Sequence, residues 1–507
     1  MVLFGDGKWK KFLLRNSKPS HIINVSKESG TYEDSFELTI KVPKHVNVYY
    51  TTDGTTPNLN SIPYEKSIYI SGEEDVDSVE GVSNHCTVLR IGAFDDAGDC
   101  LETRTFSYFI ATDNIPGLKN MNILSLVVNP EDLFDKEKGI YTEENAENHG
   151  KEWERQAEAF FYDTDGNLVL EQTIGVRIHG NTSRSDRKKS LNLYAREEYG
   201  EVPLKYFGED LLHTGYPADA YTLMAGMSDP TMMKEYLAMR FTEGQVYETY
   251  AIEPYVMFLN GEYYGVYWLH EKYDAAYFEF NYGIDDKNLV IIKNLGLEHG
   301  VEDDLDEWNT QMYHMDEMDF SDSDNYENYC DLIDMENAAK FYAAEIYMQN
   351  MDSPYNMRNN VIMWKSRKSV DNNYLDGRWR FAIFDFNWDG TMTDPSYSMI
   401  DYFTEDREGD TRRYWFFDKM YANDEFKKLV YDEIMVWKNE IATYDKAKKY
   451  ITEADNLLRI PMELDSKKFY EDPEAQMKKY DEGVEELYNF YKLRGDYIIK
   501  DIEKHNN

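Results

Sequence analysis

Trp379-Arg380-Phe381-Ala382-Ile383-Phe384-Asp385-Phe386-Asn387-Trp388-Asp389-Gly390 is a run of bulky side chains that ends in acids, an amide and a glycine. Bulky aliphatic and aromatic residues at this density read as a buried strand, and the Asp, Asn and Gly that follow stop it. The strand therefore delivers carboxylate and amide oxygens together at its end. Hard oxygen donors of this kind suit Mg²⁺ bridging phosphates. The same residues are ordinary turn material, so the meaning of the segment depends on what precedes it.

Upstream lies Asn350-Met351-Asp352-Ser353-Pro354-Tyr355-Asn356-Met357-Arg358-Asn359-Asn360, followed by the apolar run Val361-Ile362-Met363-Trp364. Before it, Met335, Ala339, Tyr342 and Ile346 recur at helical spacing and predict a helix from about Asp331 to near Gln349. Asp352 then falls at the C-terminal end of that helix, where the dipole disfavours a carboxylate. A placement that costs stability without local gain points to function. The arrangement suits an acid that accepts a hydroxyl proton, with amides beyond it to hold a metal.

The N-terminal side supplies cations and turns. Leu168–Ile178 reads as a strand that runs into Gly180-Asn181-Thr182-Ser183-Arg184, and Arg187-Lys188-Lys189-Ser190 opens the next strand, to Tyr194. Backbone N–H groups and ammonium groups at one mouth make a phosphate cradle. Strand parity puts Lys189 with Leu191 and Leu193, and Lys188 with Ser190 and Asn192, so an apolar cleft face would select Lys189. Asp229 and Pro230 read as the start of a helix carrying Glu235, a candidate partner for the nucleotide lysine. Further strands are expected at Ile123–Val128, Glu158–Asp163, Tyr255–Leu259 and Tyr263–Trp268, the last two joined by Asn260-Gly261, a two-residue hairpin signal.

In chain order the parts are a lysine on a sheet, a helix, a hairpin strand leading to Glu271, a long helix ending in Asp352, amides, and Asp385 after a strand. Protein kinases use this order. The resemblance then becomes specific. Gly180 to Arg184 with Lys188-Lys189-Ser190, Asn260-Gly261-Glu262-Tyr263-Tyr264-Gly265-Val266-Tyr267-Trp268-Leu269-His270-Glu271-Lys272, Asn350-Met351-Asp352 with Asn359-Asn360, and Phe384-Asp385-Phe386-Asn387 each resemble a stretch of the spore-coat-H (CotH) kinase family. The similarity runs from about Met121 to His505, through Phe490-Tyr491-Lys492-Leu493-Arg494.

The resemblance implies an atypical kinase, dependent on ATP and Mg²⁺ or Mn²⁺, that phosphorylates Ser/Thr of proteins. It implies Asp352 as base, Lys189 or Lys188 on the phosphates with Arg184 and Asn181 in the cradle, and Glu271 near the strand that meets adenine. Asp385, Asn387 and either Asn360 or Asn356 would hold metal. Asn387 stands where the family has a second acid, and His179 where it most often has Arg.

From about Asn24 to Ile110 the pattern is period two: Phe36, Leu38, Ile40 and Val42, then Val46, Val48 and Tyr50, then Val88, Arg90 and Gly92, with turns at Asp53-Gly54 and Ala97-Gly98. This predicts a sandwich of roughly seven strands. Tyr50 to Pro57 with Arg90 to Asp95 resembles the immunoglobulin-like module at the C-terminal end of chitobiases and hexosaminidases. That resemblance implies a spacer or a contact for carbohydrate or protein. The expected class is α+β: residues 1–23 an extension, 24–111 the sandwich, and 118–507 a kinase-like catalytic domain with a helical tail from Arg413. Gly300–Asn325 reads as a solvated insertion or loop with a helix in it. The first 111 residues are expected to be dispensable for chemistry, because a sandwich can bury its own faces.

Lys+Arg 54 against Asp+Glu 96 gives −42, spread along the chain. Such a field repels nucleic acid and anionic lipid and attracts basic, Ser-containing protein substrates. Apolar residues at 42% and aromatics at 15% are enough for a core. Cys86, Cys100 and Cys330 match no zinc spacing; Cys86 and Cys100 are a possible pair in an oxidising compartment. No apolar run is long enough to span a membrane, and the first residues do not read as a secretory signal, which leaves a spore-coat or extracellular place open only if a leader was removed. Two rival readings remain: a kinase-like enzyme that transfers AMP, and a non-catalytic coat protein with a kinase-like body.

Overall fold

The computed structural model describes residues 21–72, 86–111, 117–118, 120–200, 204–244, 248–352, 359–369, 374–404 and 415–506. Residues 112–116 between the two expected domains, most of the N-terminal extension and Asn356 lie outside them. The chain divides into two compact units. The first holds the chain up to Ala225 with Glu253–Glu271 and Leu457–Pro473; the second holds Gly226–Ile252, Lys272–Asn456 and Glu474–Asn507.

The first unit begins with the sandwich: β1 (Asn24–Val25), β2 (Gly30–Tyr32), β3 (Phe36–Leu38), β4 (Ile40–Lys41), β5 (Asn47–Thr51), β6 (Ile62–Pro63), β7 (Ile68–Ile70), β8 (Cys86–Phe94) and β9 (Cys100–Ile110). A five-stranded sheet runs β2-β9-β8-β5-β6, with two-stranded pairs β1-β4 and β3-β7. Leu38, Ile40 and Val48 of the alternating runs meet Leu89, Ile91 and Phe106 in a core, so β8 gives this core the parity opposite to Val88, Arg90 and Gly92. Strand β8 is almost wholly buried, on both faces. Cys86 lies opposite Phe109 and Cys100 opposite Phe94, at the two ends of the β8–β9 ladder. They are therefore on the order of 25 Å apart at the usual strand rise, and both thiols are free, so the pairing that the sequence left open does not form.

A barrel follows: β10 (Asn122–Val128), β11 (Arg155–Tyr162), β12 (Leu168–Ile178), β13 (Leu191–Tyr194), β14 (Ala220–Met224), β15 (Ile252–Leu259) and β16 (Glu262–His270), with the short helix α1 (Pro130–Phe134) after β10. The order β10-β11-β12-β13-β14-β16-β15 closes through a parallel pairing of β10 with β15. Asn260 (φ 52°) and Gly261 (φ 90°) make the expected β15–β16 hairpin, whose turn type requires positive φ at both positions. The sandwich rests on this barrel. Phe109 packs edge-on against Tyr162 at 5.1 Å and Phe258 at 5.0 Å, Tyr162 Oη donates to Ser107 O at 2.9 Å, and Ser107 Oγ donates to Ser125 Oγ at 2.8 Å. This is why β8 and β9 bury a second face.

The second unit contains α2 (Lys234–Thr242), α3 (Ala275–Tyr282), β17 (Leu289–Lys293), β18 (Gly296–His299), α4 (Glu302–Glu317), α5 (Ser323–Cys330), α6 (Met335–Tyr347), β19 (Ile362–Ser366), β20 (Arg380–Ala382), α7 (Met399–Thr404), α8 (Trp415–Tyr421), α9 (Asp424–Val436) and α11 (Pro473–His505). Helix α10 (Tyr444–Phe469) contributes its beginning here and its end to the first unit. Strands run β18-β17-β19-β20, all antiparallel. Helix α6 is buried nearly all round, with Phe341 stacked on Phe381 at 4.8 Å and Tyr342 on Phe416 at 5.7 Å. The acidic stretch after Gly300 is mostly α4, the helix expected there, which keeps most of its surface exposed and buries Trp308, Met312 and Met315 along one stripe. Among the described residues no helix is long and apolar enough to cross a membrane.

Candidate functional site

Helix α6 stops at Tyr347, and Gln349 in the left-handed region (φ 52°) turns the chain away. Asp352 therefore lies in the loop beyond the helix rather than on its last turn. Asn350 is buried beneath it: its Oδ1 accepts from Asp352 N at 3.3 Å, and its Nδ2 donates to Asp385 O at 3.5 Å. One side chain thus ties both acid segments together. Asn359 Nδ2 donates to Asp352 Oδ1 at 2.7 Å, and Asn360 Nδ2 donates to Oδ2 at 3.0 Å. Burial pushes the Asp352 carboxyl up, and these amides pull it back.

Asp385 follows β20 with φ 61° and is partly exposed. Burial pushes it up to about 6, the charge of Asp352 adds to this, and Lys293 and the N–H of Asn387 oppose it. Asn387 therefore acts on Asp385 through its backbone. Glu235 on α2 accepts from Phe386 N at 2.8 Å and from Tyr250 Oη, and burial foremost, then Asp385, pushes it well above the usual range. Glu345, fully buried on α6, is pushed well above by burial too. Lys234 Nζ donates to Asp389 O at 2.6 Å, fastening the loop after Asp385 to the first turn of α2. That helix begins at Lys234, and Asp229 caps it from upstream, its Oδ2 accepting from Lys234 N at 2.9 Å.

Four acids whose pKa values burial raises, Asp352, Asp385, Glu235 and Glu345, thus lie on adjoining segments. Among the described residues Asn360 makes its bonds through Nδ2, so its Oδ1 remains as an acceptor. Together with the Asp385 carboxylate this is a hard-oxygen donor set that fits Mg²⁺ or Mn²⁺. Gln349, Asn360, Asp385, Met392, Asn294 and Leu295 all hold positive φ in the loops of this unit. Such backbone persists only where the surroundings over-determine it, and it concentrates at functional sites.

The cations predicted for the phosphates lie in the first unit. Arg184 is buried, and it donates to Ala146 O at 2.5 Å, Asn148 O at 2.6 Å and Ile178 O at 2.7 Å, so its guanidinium binds the chain to itself. Lys189 Nζ donates to Arg184 O and to Asp186 O at 3.2 Å, closing the turn after Gly180 (φ 105°) and the exposed Asn181. Lys188 Nζ donates to Asp465 Oδ2 at 2.6 Å and to Val266 O at 2.7 Å in full burial. Asp465 also accepts from Tyr263 Oη at 2.7 Å and from Val266 N at 3.1 Å. A Cβ on Gly265 (φ 106°) would lie 3.0 Å from both Asp465 and Lys188, so only glycine fits there. Glu271 accepts from Tyr216 Oη.

Sequence reasoning missed Lys293, Glu345 and Asp465. Lys293 closes the apolar run Leu289-Val290-Ile291-Ile292, which was a readable signal; Asp465 sits in an amphipathic helix and gave none.

Beyond a buried helix, an acid turned by two amides is thus joined through Asn350 to a second acid after a strand. Residues 176–498 match the family model described as CotH kinase protein, and the chain belongs to that family. Residues 27–79 match the chitobiase/beta-hexosaminidase C-terminal domain, in accord with the module expected there. No curated protein matches the chain.

Proposed function

We propose that the chain is an ATP-dependent protein kinase that uses Mg²⁺ or Mn²⁺ and transfers phosphate to Ser or Thr of basic proteins. The observation that carries this reading is Asp352, which takes one amide proton on each oxygen. The two amides fix the plane of the carboxylate and leave lone pairs for the proton of an incoming hydroxyl. Asp385 and Asn360 Oδ1 would hold the cation, which when bound would offset phosphate charge as it develops. Lys188, Lys189 and Arg184 of the first unit shape their own turn and strand. The −42 charge favours basic substrates at low salt. The sandwich is assigned contact with carbohydrate or protein.

The purified chain, given ATP labelled at the γ- or the α-phosphate with Mg²⁺ or Mn²⁺, should pass γ-label to Ser-containing basic peptides, less as salt rises. Transfer of α-label would identify AMP transfer instead. No transfer of either label to any peptide would leave the reading without support.

A further inference from the structure

Lys293 is the last residue of β17, opposite Ile362 on β19. The next residues, Asn294 (φ 51°) and Leu295 (φ 65°), turn sharply, and Asn294 exchanges hydrogen bonds with Val361, at 3.0 Å through its N and 3.1 Å through its Oδ1. This fixes the lysine backbone beside the Asn359-Asn360 segment. Its ammonium lies 4.3 Å from the Phe384 ring centroid, next to Asp385 in the chain.

The ammonium groups of the buried lysines each meet an acceptor. Lys188 has Asp465, Lys189 and Lys234 have backbone carbonyls, and Lys365 has Glu307 at 2.9 Å. The Lys293 ammonium makes no hydrogen bond or ion pair among the described residues, and the residue is partly exposed. Holding an ammonium over a phenyl ring with no acceptor is unfavourable unless an anion arrives to complete it. Burial lowers its pKa, Lys272 adds to that effect, and Glu298 and Asp385 oppose it.

We propose that Lys293 binds the terminal phosphate of a nucleoside triphosphate whose cation is held at Asp385. The inference rests on the kinase reading and deepens it: the positive charge that meets the reacting phosphate comes from the same unit as the base and the metal donors. A lysine in this place contacts the γ-phosphate and leaves the rest of the nucleotide to other groups.

The test is the affinity of the full chain for MgATP and for MgADP, read by calorimetry, for wild type, Lys293→Met, Lys293→Gln and Lys293→Arg. Wild type should prefer MgATP. The Met and Gln variants should lose that preference while keeping their MgADP affinity, Arg should retain it, and γ-transfer should fall about 10²- to 10³-fold in the neutral variants. A structural role would weaken both nucleotides together. Circular dichroism decides which neutral variant is read if one fails to fold. A neutral variant that keeps the wild-type ATP-over-ADP ratio overturns the assignment and leaves the kinase reading standing. A wild-type chain that binds neither nucleotide overturns both.

Discussion

A carboxylate that accepts one amide proton on each oxygen is oriented without being neutralised, and this separates Asp352 from Asp385. Asp352→Asn should abolish the oriented acceptor and lower γ-transfer by about 10²- to 10⁴-fold while metal-dependent ATP binding persists. Asp385→Asn should lose both, because the donor to the cation is itself removed. Thermal stabilisation by ATP with and without Mg²⁺, run beside transfer, distinguishes the two, and near-normal transfer in either variant contradicts the assignment. Glu248 carries a different consequence. It is buried and accepts from Tyr282 Oη at 2.5 Å and Trp364 Nε1 at 2.7 Å, and burial, opposed by those bonds, pushes it from 4.5 up to about 7. A carboxyl raised in the folded state contributes stability that is full below its unfolded value and is lost as pH rises through its folded value. Wild type should therefore lose stability between about pH 4.5 and 7, and Glu248→Gln should flatten that slope, by up to about 3 kcal/mol. Urea denaturation at pH 5 and pH 8 measures it.

At the scale of elements, the position of Asp352, the proposed base, depends on a helix far along the chain. Arg494 of α11 is buried and donates to the carbonyls of Ile346 (2.5 Å), Tyr347 (3.0 Å), Tyr397 (2.8 Å) and Pro395 (3.0 Å). It satisfies the last carbonyls of α6, which that helix cannot pair itself. Arg494→Met should strip these buried carbonyls of their side-chain donor, leaving Ile346 O the 3.3 Å bond from Gln349 N, and should lower stability by about 3 kcal/mol in urea titrations and transfer with it. The elements themselves were largely legible. Asn260-Gly261 announced its hairpin, and the apolar runs marked β10, β12 and β20 because local pattern alone decides strand identity. Closure of the barrel was not legible, since it depends on β10 meeting β15 in parallel, a pairing no local signal encodes. Asp352 and Asp385 stood out because acids follow apolar elements there. Lys188 and Arg184 were read as ligands because a sequence shows a cation but not the buried carbonyls or the Asp465 that occupy it.

For the molecule as a whole, the sandwich is not the detachable module that its alternating pattern suggested. Phe109 covers Tyr162 and Phe258, and Thr31 Oγ1 donates to Gly166 O at 2.8 Å, so sandwich and barrel share apolar surface. A 112–507 fragment should melt at a lower temperature than the full chain and bind a hydrophobic dye, even though Asp352 and Asp385 lie outside the unit it damages. A fragment as stable as the full chain would restore the independent module.

The ion pair between Lys188 and Asp465 joins residues 277 apart in the chain. During synthesis the barrel strands leave the ribosome long before their counter-ion exists. At ordinary elongation rates of about 5–20 residues per second the wait is on the order of 14–55 s. Throughout that interval Lys188 must stay hydrated and its strand unsealed, because an ammonium cannot be buried alone. The first unit is therefore finished late, and a premature stop codon anywhere before residue 465 damages the half of the protein that was translated first.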